Sequence, residues 1–226
     1  EGNLEKRFTG GVDVDLTGQG KLEACKSGED IRQLKINIDY FFSSFQLRAI
    51  HTLKLIQDTL RDKREPTKAW QLNERHYGAL TGLNKDEMKK KLGKNKIHEF
   101  RRSWNTKPEP LNRNNPYHPL NIETYKKVPR DKIPDTESLK DTYERVINYY
   151  KSDIQNKLLN NKNIVISAHG NSIRALCKFL FKLDNKKISL LEIPTGNPLL
   201  INLNSKQDVA ECRYLNSDRA KDLLVF

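Results

Sequence analysis

The chain has 226 residues, which favours one domain over two. Apolar residues make up 36% and charged residues 31%, with a net charge of +12, so a core is feasible beneath a very polar surface. No run approaches the roughly 18 apolar residues of a membrane helix, and the start lacks a signal-peptide pattern. A basic balance suits an anionic partner, either nucleic acid or phosphorylated metabolites. No RNP aromatic motif, zinc finger or helix-turn-helix pattern accompanies the charge, so neither nucleic acid nor membrane is an expected partner. The Lys/Asn-rich runs 89–96 and 156–163 read as exposed surface. Cys25, Cys177 and Cys212 are widely spaced and form no CxxC pair. That argues against a disulfide framework or a metal site and for a reducing, cytoplasmic setting.

Residues 1–20 hold the glycine-rich stretch "FTGGVDVDLTGQG", and a helix is predicted over 16–33. "INIDYFFSS" (36–44) reads as a buried strand, and 47–60 has helical spacing with Ile50, Leu53 and Leu60 among its apolar positions. "TKAWQLNERHYGAL" (67–80) reads as a short strand followed by a polar loop, and 85–102 as one helix. Residues 106–136 are rich in Pro and Asn; a connection this long inside the single domain 1–226 is expected to be a functional lid or disordered. Thr136-Glu137-Ser138 opens the next helix, strand 164–166 follows, and a helix with Ile173, Leu176, Cys177 and Leu180 on one face comes directly after it. A final strand is expected within 190–203. Strands alternating with helices predict an α/β fold of three layers, α/β/α, with a mostly parallel central sheet.

In such sheets ligands sit outside the carboxyl ends of the strands. His169 lies at a strand tip and at the mouth of a helix, and the Gly170 and Asn171 amides begin that helix, where anions are attracted. Taken alone, a histidine at a strand end is more often structural; held there, it can transfer a proton or stabilise a phosphoryl group. "LNERHYGALTGLNK" (72–85) packs Glu74, Arg75, His76, Tyr77 and Lys85 into one segment. A carboxylate beside cations and a phenol suits acid–base work on a phosphorylated hydroxy acid. Arg101 and Arg102 are either a bidentate anion clamp or a solvated pair, and Arg48 is similarly ambiguous. Thr9-Gly10-Gly11 could place backbone amides near an anion.

The segments "RFTGGVDVDLT", "SSFQLRA", "LNERHYGALTGLNK", "RRSW", "TESLKDT", "SAHGNSIRAL" and "IPTGNPL" follow in the order and spacing of the cofactor-dependent phosphoglycerate mutases. The chain resembles that family, part of the histidine phosphatase superfamily, from Asn3 to Tyr214. The resemblance implies interconversion of 2-phosphoglycerate and 3-phosphoglycerate through a phosphohistidine, primed by 2,3-bisphosphoglycerate and without a metal. It implies that Glu74 moves the proton of the substrate hydroxyl, that His169 stabilises the transferring phosphoryl, and that Arg48 contacts the same group. Lys85, Arg101 and Arg102 would hold phosphate and carboxylate, with Arg75, Tyr77, Asn3, Thr9, Gly10, Gly170 and Asn171 completing the pocket. A homodimer or homotetramer is common in the family.

There are departures. The family's first central strand ends in Arg-His-Gly, whose histidine takes the phosphoryl group; by alignment it falls three residues before Glu1. The expectation is therefore a chain missing its first central strand and its nucleophile. Gly2 and Gly11 stand where the family has tryptophans, the proline loop is shorter, and the tail after Tyr214 is brief. A bisphosphoglycerate mutase or phosphatase, and an inactive homologue acting as a binding protein, are the competing readings.

Overall fold

The computed structural model describes residues 6–219. Helix α1 (Gly18–Arg32) starts at Thr17, whose side chain accepts from the Gly20 amide, and leads to strand β1 (Tyr40–Ser43). Helix α2 (Leu47–Leu60) follows within four residues, and strand β2 (Thr67–Lys68) is short. The next helical stretch is two helices, α3 (Lys85–Leu92) and α4 (Lys94–Arg102), not the single helix expected. Gly93 between them has φ +91°, a backbone state that α-helix cannot continue through. Helix α5 (Leu139–Tyr149) begins with a capping box between Ser138 and Asp141. It runs through a π turn (Tyr150–Ile154) into α6 (Gln155–Leu159). Strand β3 (Ile164–Ser167), helix α7 (Gly170–Leu180), helix α8 (Asn185–Leu190) and strands β4 (Leu199–Leu203) and β5 (Val209–Tyr214) complete the order.

The sheet order is β2-β1-β3, all parallel, with Ser43 opposite Ser167. Alternation along the strands sends side chains to two cores. Phe41 and Val165 pack with Ile31, Leu53 and Ile56 of α1 and α2. Phe42, Ile164 and Ile166 pack on the other face with Val146, Ile147 and Ala175 of α5 and α7. This is the three-layer α/β/α arrangement expected, with helices on both faces of a parallel sheet. Strands β4 and β5 form a separate antiparallel ribbon, whose Leu199, Ile201, Val209 and Cys212 cover Cys177, Leu183 and Ile188. Sequence spacing pointed to β4 and gave no sign of β5, whose burial is irregular along its length. Among the described residues, only β1 pairs on both sides.

Residues 106–136 are neither an open lid nor structureless. They turn through three short 3-10 segments and bury Leu111, His118, Tyr125 and Val128. The Tyr125 hydroxyl donates to Gly11 O at 2.5 Å, Thr124 bonds Asp13, and His118 Nε2 lies 2.8 Å from Asp135 Oδ1. Enough apolar surface is enclosed for the segment to pack as part of the body.

Candidate active site

Two parallel strands bring the site together. β1 and β3 end side by side, so Ser44 and His169 leave the same sheet edge. His169 is buried at the N-cap of α7, its Nε2 2.7 Å from Ser44 Oγ and its amide donating to Ser172 Oγ. Burial pushes its pKa well below the ordinary histidine value, and the nearby Arg48 and Arg145 charges push the same way. The ring is therefore neutral at neutral pH.

Glu74 meets this histidine through the start of α7. Its Oε1 accepts from the Asn171 amide at 3.2 Å and from its neighbour's amide, Arg75 N, at 2.8 Å. A carboxylate at a helix N-terminus is favoured by both the free amides and the helix dipole. Gly170 lies beside the carboxylate: a Cβ there would sit 3.9 Å from Glu74 Oε2, an ordinary contact. The Asn171 side chain donates to the Tyr77 hydroxyl at 3.0 Å and accepts from Arg174.

Gln46 ties three parts together. Its Oε1 accepts from the Glu74 amide at 2.7 Å, and its Nε2 donates to Gly10 O at 2.9 Å. Arg48 donates to Gly10 O and Val12 O, both at 3.0 Å. Gly10 has φ +48°, and a Cβ there would sit 2.9 Å from Arg75 O, so only glycine fits. Its carbonyl, rather than an amide, is what this turn presents to Arg48. Thr9 closes the turn by accepting from the Val12 amide.

A cationic cluster lies within electrostatic reach of Glu74. Lys85 is lowered to about 8, chiefly by burial and then by the Arg101 and Arg102 charges, with Glu74 pulling the other way. Arg102 reaches Glu192 at 3.5 Å, the cluster's counter-ion besides Glu74. Lys85 with Arg101 and Arg102 beside it gathers three positive groups that an anion can meet. Arg174, fully buried, donates to the Arg101, Arg102 and Ile188 carbonyls and so fixes the end of α4 against α7 and α8.

Arg75 is brought to the site but turned away from it. Its guanidinium is 0% exposed and holds Glu137 O and Thr106 O, over the Tyr77 ring. Asn3 lies outside the described residues. No group of His, Cys, Asp and Glu arranged to hold a metal ion occurs among the described residues.

The sequence reading missed Ser44, Gln46 and the buried Arg145–Glu137 pair. Arg145 donates to Gln71 O (2.7 Å), Asn73 O (2.8 Å) and Glu74 O (3.2 Å), and to both Glu137 oxygens. Glu137 in turn accepts from the His76 amide at 2.9 Å. The pair grips the chain on both sides of Glu74. Its one sequence trace was the "TESLKDT" segment, in which a glutamate precedes the cap of α5.

The family model for the histidine phosphatase superfamily (branch 1) matches residues 1–117 and 113–218. A Pelagibacter ubique protein named 2,3-bisphosphoglycerate-dependent phosphoglycerate mutase is 80% identical over the whole chain, which covers 95% of it. A Maricaulis maris protein of the same name is 45% identical over 99% of the chain and 93% of its own length. Among solved structures, a mycobacterial glucosyl-3-phosphoglycerate phosphatase complexed with VO3 aligns with a TM-score of 0.67 at 20% identity, covering 95% of this chain and 91% of its own. An Escherichia coli chain described as a putative alpha-ribazole-5'-P phosphatase also reaches 0.67, at 18% identity over 99% of this chain and 94% of its own. At such identities the two structures establish a shared fold. With the family match extending from the glycine turn through the Glu74 and His169 segments, the chain belongs to the histidine phosphatase superfamily, branch 1.

Proposed function

We propose that this chain interconverts 2-phosphoglycerate and 3-phosphoglycerate, the glycolytic and gluconeogenic mutase reaction. The name shared by its close relatives supports this reading. The observation that carries it is the Glu74 carboxylate held with a buried neutral histidine at the start of α7, within electrostatic reach of the Lys85–Arg101–Arg102 cluster.

Glu74 takes the proton from the substrate hydroxyl as that oxygen attacks phosphorus, and returns it when the other phosphate leaves. His169 and Arg48 stabilise the charge spread over the transferring phosphoryl oxygens. Lys85, Arg101 and Arg102 hold the carboxylate and the phosphate that is not moving, with Tyr77, Thr9, Gly10, Gly170 and Asn171 around them. The cationic cluster fits a doubly phosphorylated acid, and 2,3-bisphosphoglycerate supplies the priming phosphoryl group when bound. By the family resemblance, a histidine in an Arg-His-Gly strand would accept the phosphoryl group. We place the protein in the cytoplasm, as a homodimer or homotetramer; among the described residues no helix is long and apolar enough to cross a membrane.

The test follows 3-phosphoglycerate by 31P NMR in the presence of catalytic 2,3-bisphosphoglycerate. The expected product is 2-phosphoglycerate; inorganic phosphate as the main product would instead indicate a bisphosphoglycerate phosphatase. The same assay run against pH reads Lys85. Its pKa near 8 means the cation is present below that pH and lost above it, so KM for phosphoglycerate rises as the pH passes through about 8. Lys85→Arg, charged throughout, flattens the rise. A flat wild-type profile would place Lys85 outside the anion site.

A further inference from the structure

We infer that Ser44 is a positioning residue: it fixes the His169 ring and keeps the proton of the neutral imidazole on Nδ1. The inference rests on the proposal that His169 faces the transferring phosphoryl group. Ser44 is 0% exposed and lies one residue past β1, where its amide donates to Ser167 O across the parallel pair. Its hydroxyl oxygen is 2.7 Å from His169 Nε2 and accepts from the Gln46 amide at 3.1 Å.

The direction of these bonds follows from counting hydrogens. A serine hydroxyl has one hydrogen to give and two lone pairs. Gln46 N–H occupies one lone pair. Among the described residues the hydroxyl hydrogen has one acceptor within bonding distance, His169 Nε2. If Nε2 carried the proton, Ser44 would receive two N–H groups and its own hydrogen would be buried without a partner, at a cost of about 1–3 kcal/mol. Nε2 is therefore the acceptor, and the ring hydrogen sits on Nδ1.

This gives the site a neutral donor. Arg48 and the lysine–arginine cluster already supply positive charge. A neutral Nδ1–H adds a directed hydrogen bond to an anionic oxygen without further crowding the cations. The same short turn sets the proton carrier as well: Gln46, whose amide orients Ser44, accepts from the Glu74 amide through its own side chain. Residues 44–46 thus align His169 and Glu74 together.

The experiment is 15N NMR of the full-length protein labelled at histidine nitrogen, with the His169 signals assigned by their loss in His169→Gln. The expected wild-type pattern is a protonated Nδ1 and an unprotonated Nε2. A protonated Nε2 overturns the inference, and this readout needs no Ser44 variant to fold. Ser44→Ala is expected to mix the two tautomers and to lower kcat by about tenfold, one hydrogen bond's worth, with KM within about twofold. Ser44→Thr, which keeps the hydroxyl, restores the wild-type tautomer. Unchanged kcat and tautomer in Ser44→Ala would also overturn the inference. Full activity in His169→Ala would instead remove the proposed role of His169, whatever its tautomer.

Discussion

Glu74→Gln lowers kcat by about 10²-fold or more and leaves the melting temperature unchanged. The amide keeps an oxygen to accept from the Arg75 and Asn171 amides, so both hydrogen bonds that position the side chain survive. The Glu74 backbone is held independently by Gln46 and Arg145. What is lost is the ability to take up and return a proton. Because the substitution spares the cationic cluster, KM changes little, and the effect falls on kcat. Steady-state kinetics with a parallel melting curve checks this; wild-type turnover removes Glu74 from the proton transfer.

Arg145→Ala destabilises the fold by about 3–5 kcal/mol, the usual loss when one partner of a buried ion pair is removed. Both side chains are nearly enclosed, at 13% and 5% exposure. Removing the guanidinium strands the Glu137 carboxylate in the interior and leaves the Gln71, Asn73 and Glu74 carbonyls without their donor. The double variant Arg145→Met with Glu137→Leu costs less, because no buried charge is left unpaired. Burial alone would raise the Glu137 pKa; the Arg145 charge and hydrogen bonds outweigh it, and the net shift is downward. A carboxylate lowered in the folded state adds stability that is present above its unfolded pKa, about 4.3, and is lost as the pH falls through the folded value. Urea melts across acid pH read both effects. A loss under about 1 kcal/mol in Arg145→Ala would show that the pair is not structural.

The parts of the fold legible in the sequence are those whose signal is local. The apolar spacing of 47–60 gave α2 with both ends in place, and the abrupt change from Ile164–Ile166 to His169-Gly170 gave the strand-to-helix junction of the site. The break at Gly93 was visible as a residue type, but lysines on either side gave no apolar face to interrupt. The packed loop is illegible in the sequence because its burial depends on distant partners: Tyr125 bonds Gly11, and the His118 ring packs against the His76 ring, 5.7 Å between centroids. Within the site, Glu74, His169, Lys85, Arg101 and Arg102 are chemically conspicuous residues in short motifs. Ser44, Gln46 and Arg145 reach His169, Glu74 and Gln71, partners 28 to 125 positions away. Nothing in a single sequence ties a serine after one strand to a histidine after another until the parallel register brings them together.

The most direct test of the account is phosphoryl labelling. The 226-residue chain and a form extended upstream through Arg-His-Gly are each incubated with 2,3-bisphosphoglycerate, and acid-labile phosphate on the protein is measured and mapped. The account predicts stoichiometric labelling of the extended form at the upstream histidine and none of the 226-residue chain, because His169, with Nε2 tied to Ser44, stabilises the phosphoryl group rather than attacking it. Stoichiometric label on His169 in the 226-residue chain, or no label on a folded extended form, would contradict it.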